Sequence, residues 1–298
     1  MKLRHLLIFW LLTLVVIQNA SAQTEKLRKK IGQIILQAKG KVGVAIVGLD
    51  FGDTLSINGN QSFPMQSVYK FPLSMAVLSL VDKGKFKIDQ PIHVARRELL
   101  PNTWSPLRDK YPRGNVDITL QEILFQTVSY SDNNGCDILF RLIGGPKKAD
   151  AYLRSIGVKK IAIANTEKEM QKNWNLQFAN SSTPNAMVHL LEILYYRNKL
   201  SKSSNDFLTS WMEKTTTGPK RLKGLLPEGA VVAHKTGSSG QKNGITAATN
   251  DVGIITLPNG KHFAVVVFVS NTKESEEVQE SVIAQISKAC WDYFEGMD

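Results

Sequence analysis

Ser67-Val68-Tyr69-Lys70 places a hydroxyl and an amine three residues apart. On a helix that spacing stacks the two groups on one face, one turn apart. A serine hydroxyl is a poor nucleophile until a neighbour takes its proton, and a lysine inside a buried site can be neutral often enough to do so. The same spacing recurs at Ser239–Lys242 and Ser270–Lys273. Only the first copy opens a strongly apolar helix, whose N-terminus would offer backbone N–H groups and partial positive charge to a developing alkoxide. The plainer reading of the pair is a surface serine and a surface lysine.

Two further patterns carry compatible chemistry. Ser131-Asp132-Asn133 falls at the junction of two expected helices. A hydroxyl there can relay a proton to a leaving group, and the Asn133 amide can both donate to and accept from a substrate amide. Ser131 or Asp132 would also serve simply as the cap of the following helix. Lys235-Thr236-Gly237-Ser238 ends an expected strand. Lys235 and Thr236 are candidates to bind a carboxylate, and Gly237 permits close backbone approach. The N–H of Ser238, with that of Ser67, would form a two-donor oxyanion hole. The alternative is an ordinary basic strand end. The histidines (His5, His93, His189, His234, His262) show no metal-ligand spacing, so neither a metal nor another cofactor is expected.

The elements that must position these residues follow from periodicity. Leu27, Ile31, Ile34, Ile35 and Ala38 repeat at helical spacing, with Gly40 as a possible close. Val42–Leu49 and Thr54–Ile57 read as a hairpin around Asp50-Phe51-Gly52-Asp53. From Ser67 to about Met212 the pattern is helical. Val68–Lys83 is apolar on nearly every side, the mark of a central buried helix. Thr119 with Glu122 forms a capping box, and Asp132–Ile143 is a further helix. Thr183-Pro184 is a cap followed by proline at the first helical position. Beyond Pro227 the period changes to strands at Ala230–Ala233, Thr246–Leu257 and His262–Ser270, then to a closing helix marked by Val278, Val282, Ile286, Ala289, Cys290 and Tyr293. The expected class is α+β. Strands from both chain ends make one antiparallel sheet flanked by helices (residues 23–66 and 213–298). A central all-helical lobe (67–212) would face it across a cleft.

The chain has 298 residues, 43% hydrophobic and 21% charged, which excludes a disordered chain, a collagenous repeat and a small disulfide scaffold. Lys2, Arg4 and His5, the apolar run Leu6–Ile17 and Ala20-Ser21-Ala22 read as a cleaved leader over 1–22. The mature chain would start at Gln23, exported to the periplasm or secreted, with no membrane anchor. Net charge is +11, or +9 once Lys2 and Arg4 leave with the leader. No basic run interleaved with aromatics suggests nucleic acid; an anionic small substrate or cell envelope suits the charge. A monomer acting on a small molecule is expected. Cys136 and Cys290 fall in different helices and are expected as buried free thiols, with a bridge left open.

Taken together and in this order, the three patterns resemble the serine β-lactamase and penicillin-binding superfamily over nearly all of the mature chain. The resemblance implies the β-lactamase/transpeptidase-like fold and a serine acyl-enzyme formed on Ser67. A glutamate between the second and third patterns would separate a class A β-lactamase from a transpeptidase. Thr166-Glu167-Lys168-Glu169-Met170-Gln171 lies there, with Glu167 the expected water-activating base, Glu169 the alternative, and Gln171 where the family usually has Asn. A solvated acidic turn is the plainer reading. Class A enzymes commonly lock this loop with an Arg–Asp pair, yet residues 161–182 contain neither. Asn165 and Asn180 are candidates to hold it instead. This departure, Thr217-Gly218-Pro219-Lys220-Arg221, Lys223-Gly224-Leu225-Leu226-Pro227 and Ala233-His234 resemble the PER-type extended-spectrum branch. That likeness implies a carboxylate-binding role for Arg221, otherwise a surface arginine, and bulky cephalosporins as well as penicillins as β-lactam substrates. Trp104 is either an aromatic wall of the cleft or a core residue. The alternatives are a D-Ala-D-Ala carboxypeptidase, which does not need Glu167, a non-hydrolytic β-lactam receptor, and more remotely a glutaminase.

Overall fold

A computed structural model describes residues 22–297. Apart from Ala22, the expected leader lies outside the described residues. The main sheet has five antiparallel strands, in the order Thr54–Ile57, Lys41–Gly48, His262–Ser270, Thr249–Thr256, Val231–Ser238. The first and last long strands of the chain therefore lie side by side, paired from Lys41↔Ser270 to Gly48↔Phe263.

Both faces of this sheet are covered, so its inner strands are apolar throughout rather than alternating. Along His262–Ser270, the residues Phe263, Val265, Val267 and Val269 pack with Leu27, Ile31, Val282 and Ile286 of the two terminal helices, 22–34 and Glu276–Glu295. The intervening Ala264, Val266 and Phe268 face the helical block. One-residue alternation thus divides the protein into two apolar clusters on either side of one sheet.

The helical block is built around Lys70–Asp82, in which every residue from Lys70 to Ser79 is buried. Helices Leu120–Ser129, Asn133–Ile143, Pro146–Ser155 and Lys202–Glu213 surround it. The caps are present: the Thr119 side chain accepts from Glu122 N–H, and Thr183 from Ala186 N–H ahead of Pro184–Tyr195. The expected capping box is only half made, because the Glu122 carboxylate turns to Lys110 and Tyr111 instead of Thr119 N–H. The expectation of an all-helical lobe needs one correction. Pro91–Val94 pairs with Val116–Thr119, and Phe63–Pro64, Ser181–Ser182 and Ile161–Ala162 form a small sheet. Strands of two to four residues are too short to interrupt a helical period visibly. The helix 22–34 also ends differently. Lys39, not Gly40, takes the left-handed position, at φ 42°.

Cys136 and Cys290 are buried and free. Among the described residues no helix is long and apolar enough to cross a membrane.

Candidate active site

Ser67 sits in a single 3-10 turn, Gln66–Tyr69, and Lys70 is the first residue of the α-helix that follows. The turn is held from outside. Asn250 Nδ2 donates to Pro64 O (2.8 Å) and Met65 O (3.1 Å), and Gln66, left-handed at φ 49°, donates through Nε2 to Gln177 Oε1. Gly237 presses on the same turn. A Cβ there would lie 2.3 Å from Met65 O and 3.1 Å from Val68 N. Only glycine lets the strand Val231–Ser238 come close enough to bring Ser238 beside Ser67.

The Lys70 amine is fully buried and is the centre of the constellation. Its Nζ lies 3.0 Å from Ser67 Oγ, 2.8 Å from Ser131 O, 2.5 Å from Asn133 Oδ1 and 3.0 Å from Glu167 Oε1. An ammonium has three N–H bonds: Ser67, Ser131 and Asn133 take them, and the Glu167 carboxylate lies alongside as an ion pair, its Oε1 without a hydrogen bond. Such a group can release one contact and pass a proton without losing its place.

Ser131 turns at φ 57°, which directs its carbonyl to Lys70 while its Oγ accepts from Lys235 Nζ at 3.0 Å. Lys235 also donates to Thr236 O at 3.0 Å. Burial, with the charge of Lys70 next, holds the Lys235 ammonium well below the ordinary lysine range. Asp132 caps Asn133–Ile143 by accepting from Gly135 N–H, and it also accepts from Leu107 N–H and from Ser105 Oγ. Both ends of the Asn133 amide are engaged, Oδ1 by Lys70 and Nδ2 on Thr103 Oγ1 at 2.7 Å.

Glu167 opens the four-residue helix Glu167–Met170 and is buried, whereas Glu169 is exposed. The Glu169 carboxylate accepts from Thr166 N–H (2.8 Å) and Thr166 Oγ1 (3.0 Å), completing a capping box. Of the two acids, the one on Lys70 is therefore Glu167. Gln171 is exposed; its backbone N–H closes the short helix on Glu167 O, and its side chain makes no hydrogen bond to Glu167. The loop is clasped by asparagines. Asn180 Oδ1 accepts from Ala164 and Asn165 N–H, its Nδ2 donates to Asn165 O, and Asn165 Nδ2 donates to Leu176 O.

A cleft of about 280 Å³ is lined by Ser67, Trp104, Ser131, Asn133, Thr217, Thr236 and Ser238. Trp104 is 59% exposed, with its indole N–H on Tyr130 O, so it is a wall and not a core residue. Arg221 is no surface arginine. It is buried behind the strand end, donating to Glu280 Oε1, Asn250 O, Gly237 O and Ser238 Oγ (2.8 Å). The sequence reading missed Asp137, Thr103, Gln177, Asn250 and Glu280, which hold the named residues in place. Thr217, from the segment Thr217–Arg221, also enters the cleft, its hydroxyl 2.5 Å from that of Thr236. Asp137 had one available signal, its position one turn after Asn133 on the same helix face. The others are joined to the site across gaps of 29 to 186 residues.

A family model described as the β-lactamase enzyme family matches residues 26–294. β-Lactamase VEB-1 of Pseudomonas aeruginosa is 46% identical over 294 residues, 98% of each chain. Extended-spectrum β-lactamase PER-1 of the same organism is 43% identical, over 92% of this chain and 89% of its own. The crystal structure of a class A β-lactamase from Bacteroides cellulosilyticus superposes with a TM-score of 0.88 at 38% identity, covering 92% of this chain and 99% of that one. With the Ser67–Lys70–Glu167 constellation in place, these likenesses establish that the chain belongs to the β-lactamase enzyme family, in class A and related to its PER branch.

Proposed function

We propose that this chain is an exported, monomeric serine β-lactamase that hydrolyses cephalosporins, bulky ones included, and penicillins, and so confers β-lactam resistance. The observation that carries the reading is the Glu167 carboxylate 3.0 Å from Lys70 Nζ, itself 3.0 Å from Ser67 Oγ. A carboxypeptidase acylates its serine with the same Ser–Lys pair but has no need of that acid. The name of PER-1 supports the extended-spectrum assignment.

In the proposed reaction Ser67 Oγ attacks the lactam carbonyl, and its proton passes to Lys70 or through it to Glu167. The N–H groups of Ser67 and Ser238 hold the oxyanion. As the C–N bond breaks, Ser131 gives its proton to the lactam nitrogen and takes one from Lys235, and the proton that left Ser67 passes on to restore Lys235, leaving Glu167 ionised. Thr236 and Ser238 receive the substrate carboxylate, with Arg221 behind them holding the Ser238 hydroxyl, Asn133 receives its side-chain amide, and Trp104 walls the cleft. Glu167 then takes a proton from water as the water attacks the ester, and Ser67 Oγ leaves with that proton. Neither metal nor organic cofactor takes part. The test is steady-state turnover of a chromogenic cephalosporin beside release of D-alanine from a D-Ala-D-Ala peptide. Cephalosporin turnover on the order of 1–10³ s⁻¹ without peptide cleavage is expected; stoichiometric acylation without turnover, or peptide cleavage alone, contradicts the reading.

A further inference from the structure

A second cavity, of about 430 Å³, lies at the opposite end of the nucleophile's helix, where Lys70–Asp82 meets the helices Asn133–Ile143 and Pro146–Ser155. Ala76, Leu80, Phe86, Leu142 and Ile143 give it an apolar lining. Lys83, Lys85 and Lys148 also line it; all three are exposed, and none has an ion-pair partner among the described residues. The carbonyls at the adjoining helix ends are already taken by backbone N–H groups: Ser79 O by Lys83, Val81 O by Gly84, Leu80 O by Lys85, and Phe140 O by Gly144 and Gly145. Among the described residues none of the three ammonium groups makes a hydrogen bond.

Tyr152 adds an independent observation. It lines the same cavity, and its hydroxyl is buried without a hydrogen-bond partner. A buried, idle O–H is costly unless something accepts from it. Burial raises the Tyr152 pKa, so the group remains a donor at physiological pH. Asp82, the acid whose charge acts on Tyr152, is tied up by Ser201 N–H, Ser201 Oγ and Ser204 Oγ.

We propose that this cavity binds a monomeric anionic amphiphile, with its apolar body against Leu80, Phe86, Leu142 and Ile143 and its anionic head among the three lysines, the Tyr152 side chain turning its buried hydroxyl onto that head. An apolar body fits the lining, and the unpaired cations select charge. The site is separate from the cleft at Ser67 and binds no β-lactam.

The probe is dodecanoate, below its micellar concentration, titrated calorimetrically into the mature protein. Saturable one-to-one binding is expected, weakened at least tenfold in Lys83→Glu/Lys148→Glu and about tenfold in Tyr152→Phe, with cephalosporin turnover unchanged in both. Ala151→Trp, at an exposed position of the lining, is expected to block binding and serves if the other variants fold poorly. Covalent acylation of Ser67 in Glu167→Gln is expected to leave the affinity as it was. Absence of saturable dodecanoate binding overturns the proposal. So does equal affinity for neutral dodecyl maltoside, indifference to all three variants, loss of binding on acylation, or binding to anionic vesicles but not to the monomer.

Discussion

Asp137 Oδ1 accepts the backbone N–H of Glu167 at 2.8 Å, and its Oδ2 accepts that of Lys168 at 2.9 Å. The first N–H groups of the short helix Glu167–Met170 are thus docked on a carboxylate of the helix Asn133–Ile143. Asn133, one turn earlier on that helix, binds Lys70. A single helix therefore sets both partners of the Lys70–Glu167 pair, which is why the loop needs no arginine–aspartate lock of its own.

That docking predicts an acid limb. Burial pushes the Asp137 carboxyl up to about 6, against the two N–H groups it accepts. As pH falls through about 6, one oxygen becomes an O–H donor and the loop loses an acceptor. Deacylation is expected to decline there, and Asp137→Asn to give a slower enzyme whose deacylation no longer bends at that pH. Stability runs the other way: a raised carboxyl pKa favours the folded state fully below the ordinary carboxylate range, and that contribution fades as pH rises through about 6. Single-turnover deacylation rates against pH, with denaturant melts at the same pH values, check both signs.

Lys235 is expected to set the alkaline limb. Its pKa is lowered, so it loses its proton, and with it the donor to Ser131, well before an ordinary lysine would. Lys235→Ala is expected to slow acylation about 10²–10³-fold. Lys235→Arg, which stays charged, is expected to be slower than the parent enzyme with its alkaline limb moved upward. Stopped-flow acylation rates against pH measure this.

The asparagine clasp predicts a stability loss. Asn180→Ala removes three hydrogen bonds to the loop backbone, besides a weak contact with Met170 Sδ. At about 0.5–1.5 kcal/mol each the cost is about 1.5–4.5 kcal/mol, or roughly 3–8 °C in Tm for a protein of this size. Calorimetry gives the value, and deacylation is expected to suffer more than acylation because Glu167 rides on the loop.

Gly237→Ala places a Cβ 2.3 Å from Met65 O, and the turn carrying Ser67 must shift. Overpacking of this kind costs about 1–3 kcal/mol. Acylation is expected to fall with Tm, and an unchanged acylation rate would remove the oxyanion assignment of Ser238.

Much of this was legible where the signal was local. The caps at Thr119 and Thr183 and the apolar run 262–270 each announce themselves within a few residues. So did the residues of the three patterns, which do converge. The short ribbons at Pro91–Val94 and Val116–Thr119 did not, because four residues carry too little period. The choice between Glu167 and Glu169 was decidable in principle: Thr166 and Glu169 have capping-box spacing, which commits Glu169 to Thr166. Arg221 shows the limit. Its ion-pair partner Glu280 lies 59 residues on, in the closing helix, and nothing local marks the pair.

The most direct test of the central claim is the lifetime of the acyl-enzyme in Glu167→Gln, followed by intact-protein mass spectrometry after mixing with a cephalosporin. The account predicts acylation of Ser67 followed by a trapped adduct whose hydrolysis is slower than in the parent enzyme by at least about 10²-fold. An adduct that clears as fast as in the parent would contradict it and place the water-activating base elsewhere.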